Sequence, residues 1–315
     1  MPGLLDMILG YDCNLACDYC TIGPELRPRA LTTAQALAAI RRGRAQGLDA
    51  LSLTGGEPTI RPDLLALVRA GKALGFTDIK VQSNGLLYAH GDNLARLLAA
   101  GATRLHVSVH THRADRYERL VRRTGTYASM VEGLRRAATS GATLVVDLIV
   151  KRDTMADLPG AIDWLAEQGV RAVDLWYVSL TDANAGNVAS LPRISEAMPH
   201  VREALARGRA RGMTARSLHV PRCLLGQDHP HAWDPGSGEV VVVTPEATFA
   251  LRDSRLAGRV KVAACRGCPF EQVCPGVRPD YLAVYGDAEI AAARGQAPTG
   301  GARRLPIVGG AAEVH

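Results

Sequence analysis

The residues best able to do chemistry are seven cysteines, and they fall into two groups. The first is Cys13-x3-Cys17-x2-Cys20. The second is Cys265-x2-Cys268-x5-Cys274, with Cys223 lying 42 positions before Cys265. Three thiolates within eight residues can converge from one loop onto one metal centre. A zinc site wants a fourth protein ligand. A 4Fe–4S cluster held by three cysteines leaves one iron open to a small ligand. The second group, with four cysteines, suits either zinc or one cluster. An odd total grouped as three plus four argues for ligation rather than for disulfides.

Other polar residues sit at suggestive places. In Thr54-Gly55-Gly56-Glu57-Pro58 the glycines let backbone approach a ligand closely, and Glu57 can accept from an ammonium group. Read alone, the same residues are a tight turn. Ser83-Asn84-Gly85, Ser108 and Lys151 are either binding groups or ordinary turn, strand and solvated residues. His219, His229 and His231 suggest a metal at a glance, but their spacing defines no geometry. Substrate contact or loop structure is the simpler reading. His106, His110 and His112 behave similarly. His110 follows Ser108 by two, which places both on one strand face lining a site. Arg113 and Arg116 could meet an anionic substrate group, although a solvated pair is simpler. Tyr177 and Tyr281 read as packed aromatics, with a radical relay as the alternative.

The elements that must position these residues follow a repeat. Gly47, Gly75, Gly101, Gly141 and Gly169 each close a helical stretch and precede a short run rich in Val, Leu and Ile. A glycine there is a helix C-cap, and such runs read as strands buried on both faces. With Leu4–Gly10 this predicts six strands alternating with helices, hence right-handed crossovers and a parallel sheet. Six units are too few for a closed eight-stranded barrel. They predict an open (β/α)6 barrel or a doubly wound sheet, with ligands at the carboxyl ends of the strands. Cys13–Cys20, Gly55–Glu57, Asn84 and Ser108 fall at those ends. Residues 194–212 predict one helix, 217–236 a loop, and 238–251 a β-hairpin turning near Pro245 and Glu246. The expected domains are a core over 1–185, a C-terminal extension over 186–295, and a loose tail over 296–315.

Composition narrows the class. The 315 residues are 47% hydrophobic and 22% charged, which excludes a mainly disordered or fibrous chain. The net charge of +6 comes from scattered arginines, not from a block, so nucleic acid is not the expected partner. No apolar run is long enough to span a membrane, and the N-terminus lacks the regions of a signal peptide. The expected location is the cytoplasm, where thiols stay reduced.

The C-x3-C-x2-C spacing, with Tyr19 before the last cysteine and a Gly-Gly-Glu turn after the second strand, resembles the radical S-adenosylmethionine (SAM) superfamily over roughly residues 3–180. The resemblance implies a partial (β/α)6 barrel with a SAM-binding 4Fe–4S cluster on Cys13, Cys17 and Cys20. It implies that Gly55, Gly56 and Glu57 meet the methionine amino group, and that Asn84 and Ser108 contact the ribose or carboxylate. Lys151 and Tyr19 complete the implied SAM site. The segment with Cys265, Cys268 and Cys274 resembles the twitch extension, a shortened relative of SPASM. With Cys223 it implies one auxiliary 4Fe–4S cluster, for two clusters in all. The implied reaction is reductive cleavage of SAM to a 5′-deoxyadenosyl radical and hydrogen abstraction from a small-molecule or peptide substrate. An external one-electron reductant of flavodoxin or ferredoxin type would drive it, and the auxiliary cluster would accept an electron or bind substrate. The alternatives are an epimerase with Cys223 as hydrogen donor, and a non-catalytic iron–sulfur carrier or scaffold. With twelve residues before Cys13, no N-terminal peptide-binding domain is expected, and the tail is not expected to be that of molybdopterin-precursor enzymes.

Overall fold

The computed structural model describes residues 3–233, 238–254 and 258–293. The six expected strands are present: β1 Leu4–Ile8, β2 Ala50–Thr54, β3 Asp78–Ser83, β4 Arg104–Ser108, β5 Thr143–Val150 and β6 Ala172–Tyr177. Between them run α1 Thr33–Ala45, α2 Leu64–Leu74, α3 Asn93–Ala100, α4 Ala114–Val121, α5 Tyr127–Ala138 and α6 Leu158–Glu167. The five joint glycines all carry positive φ, as the helix-cap reading requires. The repeat then runs one unit further than expected. α7, Ile194–Ala210, leads into β7, Thr214–Leu218, which pairs in parallel with β6. The hairpin expected at 238–251 is β8 Val240–Val243 and β9 Thr248–Ala250, closed by Thr244 N donating to Ala247 O at 2.8 Å.

All these strands form one sheet in the order β7-β6-β5-β4-β3-β2-β1-β8-β9, parallel except for β9. Each strand from β1 to β7 lies beside its predecessor in the chain. Over β1–β7 the order never reverses, so this part of the sheet winds one way as an open barrel and is not doubly wound, while β8 and β9 add to the far side of β1. α8, Pro279–Tyr285, and α9, Ala288–Ala293, follow the second cysteine group. The expected tail over 296–315 lies outside the described residues.

The strands differ from the both-faces-apolar reading. Leu51, Leu53, Ile79, Val81, Leu105, Val107, Val146 and Leu148 are fully buried on the helix side. There α2 comes close enough that a Cβ on Gly71 would meet Leu51 at 2.7 Å. The alternate positions carry Asp6, Ser52, Gln82, His106, Asp147, Asp174 and Arg216. The inner face of the barrel therefore carries polar residues with a period of two, interspersed with Val145, Ile149 and Trp176.

Candidate active site

The loop after β1 holds the first cysteine group, and the protein grips it from several sides. Arg27 donates to Cys13 O at 3.0 Å and to Leu15 O at 2.7 Å, and Arg123 donates to Asn14 O at 2.6 Å. Ala16 N and Asp18 N donate to Val121 O and Leu120 O at the end of α4, at 3.1 and 2.9 Å. Leu15 N points at Cys13 Sγ, and Ile22 N at Cys20 Sγ, both at 3.4 Å. Burial, followed by the nearby sulfurs of Cys20 and Cys13, pushes the Cys17 thiol up to about 12. Burial raises the Cys13 thiol as well. Three half-buried free thiols on one gripped loop, with amides aimed at two sulfurs, suit a cationic metal centre that deprotonates its ligands.

The Gly-Gly-Glu turn packs directly on this loop. Gly56 N donates to Gly10 O at 2.9 Å and Glu57 N to Asp12 O at 2.8 Å. A Cβ on Gly55 would lie 2.3 Å from Gly10 O, and one on Gly56 would lie 2.0 Å from Asp12 O. Within the chain, then, the close approach these glycines permit is to the cysteine loop. Glu57 is buried. Its Oε1 accepts from Thr59 N, Thr59 Oγ1 and Ser83 Oγ at 3.0, 2.5 and 2.8 Å, and its Oε2 from Asn84 N at 2.7 Å. Burial raises the Glu57 carboxyl pKa, and those four bonds oppose the rise. One lone pair of Oε2 remains for a ligand. The Asn84 side chain donates to Asn14 Oδ1 at 2.7 Å and accepts from Leu86 N at 3.1 Å, so it too ties β3 to the cysteine loop. Ser108 is half-buried at the end of β4. Tyr19 hydrogen-bonds with His110 Nε2 at 2.8 Å, their rings edge-to-face at 5.1 Å. Lys151 pairs with Asp18 at 2.9 Å and Asp153 at 2.8 Å.

The second group is brought together from both sides of a gap of 42 positions. Cys223, Cys265, Cys268 and Cys274 line one recess, with Pro221 and Phe270. Burial comes first and the sulfurs of Cys268, Cys274 and Cys265 next in pushing the Cys223 thiol up to about 12. Cys13 lies five residues beyond the end of β1, and Cys223 five beyond the end of β7. Cys13 and Cys223 thus each follow the carboxyl end of a strand, and Cys265, Cys268 and Cys274 join Cys223 from the segment after the hairpin. The inner face lies between those strands. Asp147 there accepts from Trp176 Nε1 at 3.0 Å and Gln82 Nε2 at 3.3 Å, with His106 Nδ1 at 3.7 Å. Arg216 forks onto Asp174 at 2.7 and 2.6 Å.

Residues 7–171, just over half of the chain, match the family described as the radical SAM superfamily. The chain belongs to the radical SAM superfamily. GTP 3′,8-cyclase 3 of Mycobacterium bovis is 35% identical over 160 residues, covering 46% of this chain and 42% of that protein. Molybdenum cofactor biosynthesis protein 1 of Homo sapiens is 33% identical over 203 residues, covering 61% of this chain and 30% of that protein. This radical SAM chain therefore spans less than half the length of these relatives. Among solved structures, native anSMEcpe with bound AdoMet superposes with a TM-score of 0.67 at 12% identity, covering 93% of this chain and 97% of that one. Streptococcus suis SuiB bound to S-adenosylmethionine gives 0.65 at 12%, covering 90% and 74%. At such identity the likeness is one of fold. Membership implies a 4Fe–4S cluster and SAM, and the gripped three-thiol loop fits both. No helix among the described residues is long and apolar enough to cross a membrane.

One expectation for this radical SAM chain is corrected, and the simpler readings of the other His, Arg and Tyr residues agree with the structure. His110 does not share a strand face with Ser108, because β4 ends at Ser108 and His110 turns away with φ +68°. Burial lowers its pKa to about 4, so the ring is neutral. Arg116 is held by Asp157 at 2.8 Å and Asp153 O at 2.7 Å, and Arg113 lies 3.9 Å from Asp115. Arg116 is thereby occupied, while Arg113 is exposed, as the solvated reading expects. His219, His229 and His231 do not converge. They contact Trp176, Phe270 and Ala215 O respectively. Tyr177 and Tyr281 pack edge-to-face at 6.5 Å. The sequence reading missed Asp147, Asp174, Trp176 and Arg216. The signal for the first three was the polar or amphipathic residue set within Val-Val-Asp-Leu-Ile-Val and Val-Asp-Leu-Trp-Tyr, while Arg216 lies in neither run.

Proposed function

We propose that this chain is a radical SAM enzyme of two clusters, acting on a small-molecule or peptide substrate held on the inner face of the barrel. The observation that carries the reading is the placement of two thiol sets just beyond the carboxyl ends of β1 and β7, with a polar wall between them. Cys13, Cys17 and Cys20 would hold the SAM-binding cluster. Cys223, Cys265, Cys268 and Cys274 would hold an auxiliary one in a twitch-like extension. Together such a cluster and SAM supply reductive cleavage to a 5′-deoxyadenosyl radical that takes hydrogen from a C–H bond. The auxiliary cluster would accept an electron or bind substrate.

The chain's own part is placement. Gly55 and Gly56 seat the second loop against the first, Glu57 and Asn84 fix both to β3, and the lone pair left on Glu57 Oε2 would accept from an amino group of SAM. Asp147, His106 and Asp174 offer the substrate polar groups on a face they share with Val145, Ile149 and Trp176. A flavodoxin- or ferredoxin-type protein is the proposed reductant. The gathering of Cys223 with three other thiols favours ligation over its use as an epimerase hydrogen donor.

The test is anaerobic reconstitution followed by reduction with dithionite in the presence of SAM. We expect about eight iron atoms per chain, release of 5′-deoxyadenosine, and loss of that release when Cys13, Cys17 and Cys20 are replaced by Ala. Tight iron binding without SAM cleavage would leave an iron–sulfur carrier. The names of the sequence relatives favour one second reading, cyclisation of GTP. A cyclised product from GTP in the same assay would establish it.

A further inference from the structure

Lys151 follows directly on β5 and is 4% exposed. An ammonium group has three hydrogens to donate. Here its Nζ lies 2.9 Å from Asp18 Oδ2 and 2.8 Å from each oxygen of Asp153, so all three are spent on carboxylates of the chain. None is left for the carboxylate of a bound SAM. Buried charge persists only when paired in this way.

The more informative partner is Asp18, which lies between Cys17 and Cys20. Its amide donates to Leu120 O at 2.9 Å, and its carbonyl accepts from Asn187 Nδ2 at 2.9 Å. Its side-chain Oδ2 goes to Lys151, while Oδ1 is buried with no hydrogen-bond partner. The residue is thus fixed by three elements far apart in the chain: the end of α4, the segment after β6, and the turn after β5. We propose that Lys151 is a positioning residue, clamping the cysteine loop through Asp18 so that Cys17 and Cys20 hold one geometry, and that it is not a SAM ligand. The proposal rests on the reading that this loop carries the SAM-binding cluster.

The full chain with Lys151→Met, Asp18→Asn or both tests it, with Asp153→Asn as the control that leaves the Asp18 contact in place. In the apoprotein, amide hydrogen exchange over residues 13–21 should quicken by about tenfold or more in Lys151→Met and Asp18→Asn. The double variant should be no faster, because both single changes break the same contact. Asp153→Asn should stay near wild type. After reconstitution, the two variants should lose most of the iron that the triple Cys13, Cys17, Cys20→Ala variant loses. In the loaded fraction, SAM affinity should remain within about twofold of wild type. Unchanged exchange in both single variants overturns the clamp. So does full iron in Lys151→Met with SAM binding weakened about tenfold or more, which would make Lys151 a SAM ligand. If Lys151→Met does not fold, the isosteric Asp18→Asn carries the same comparison. If the triple variant loses no iron, the cluster reading fails, while the exchange data still decide the clamp.

Discussion

The carboxylate of Glu57 accepts four hydrogen bonds from the chain itself, from Thr59, Ser83 and Asn84. Its charge was legible in the sequence, but its partners were not, since Ser83 lies 26 positions away. Glu57→Gln keeps the shape and replaces one acceptor oxygen with an NH2 group. The apoprotein should lose about 1–3 kcal/mol of stability in a urea titration, the cost of leaving a buried donor unmet. An unaltered midpoint, with weaker SAM binding in the loaded protein, would give Glu57 to the ligand alone. His110 makes a second case. Its folded pKa is lowered to about 4 by burial, against 6.5 for a free imidazole. The unfolded chain therefore binds the proton first as pH falls. Stability is fully present above 6.5 and declines toward 4, by about 1.4 kcal/mol per pH unit in between. His110→Asn should shed that slope while tolerating φ +68°, since Asn accepts the left-handed region. Apoprotein melts at pH 7 and pH 5 measure it, and equal pH sensitivity in both proteins would count against a neutral buried His110.

At the scale of elements, legibility followed locality. A helix cap and an apolar run lie within a dozen residues of each other, so β2–β6 and the glycines before them could be read from the chain. β7 could not, because Thr-Ala-Arg-Ser-Leu carries Arg216 in the run, and the Asp174 that offsets its charge lies 42 positions earlier. The polar inner face was hidden similarly. Asp147 draws on Gln82 at a separation of 65 and on Trp176 at 29. The seam between the loops after β1 and β2 is a property of elements too. A methyl group on Gly56 would stand 2.0 Å from Asp12 O, which is backbone and has little room to yield. Gly56→Ala should therefore part the two loops, lowering reconstituted iron at the first site toward that of the triple cysteine variant. Iron content and the spectrum of the reduced cluster measure this. Full loading with normal SAM affinity would mean that the seam adapts, and that the turn needs no glycine at this position.

Across the whole molecule, the parallel sheet separates the two thiol sets by placing one beyond β1 and the other beyond β7. The cysteines were legible as groups because Cys13–Cys20 and Cys265–Cys274 are each local. Cys223 joined the second group only by count and by resemblance, not by local spacing, since its place depends on the turn after β7 meeting a segment that begins 42 residues later. That dependence makes Cys223→Ala the sharpest probe of the architecture. If Cys223 ligates, the variant keeps a three-cysteine site that loads poorly or gives an altered spectrum, and iron falls from about eight toward about four per chain. Release of 5′-deoxyadenosine should continue, because Cys13, Cys17 and Cys20 hang from the opposite edge of the β1–β7 array and share no ligand with the second set. Turnover to product should fall, since the site proposed to take an electron or hold substrate is damaged. If Cys223 were instead a hydrogen donor, the second site would keep a normal spectrum in the variant. Wild-type product formed in deuterated water would then carry deuterium on carbon, through exchange at the thiol. An intact second spectrum in Cys223→Ala together with deuterium in the wild-type product would replace ligation with epimerase chemistry.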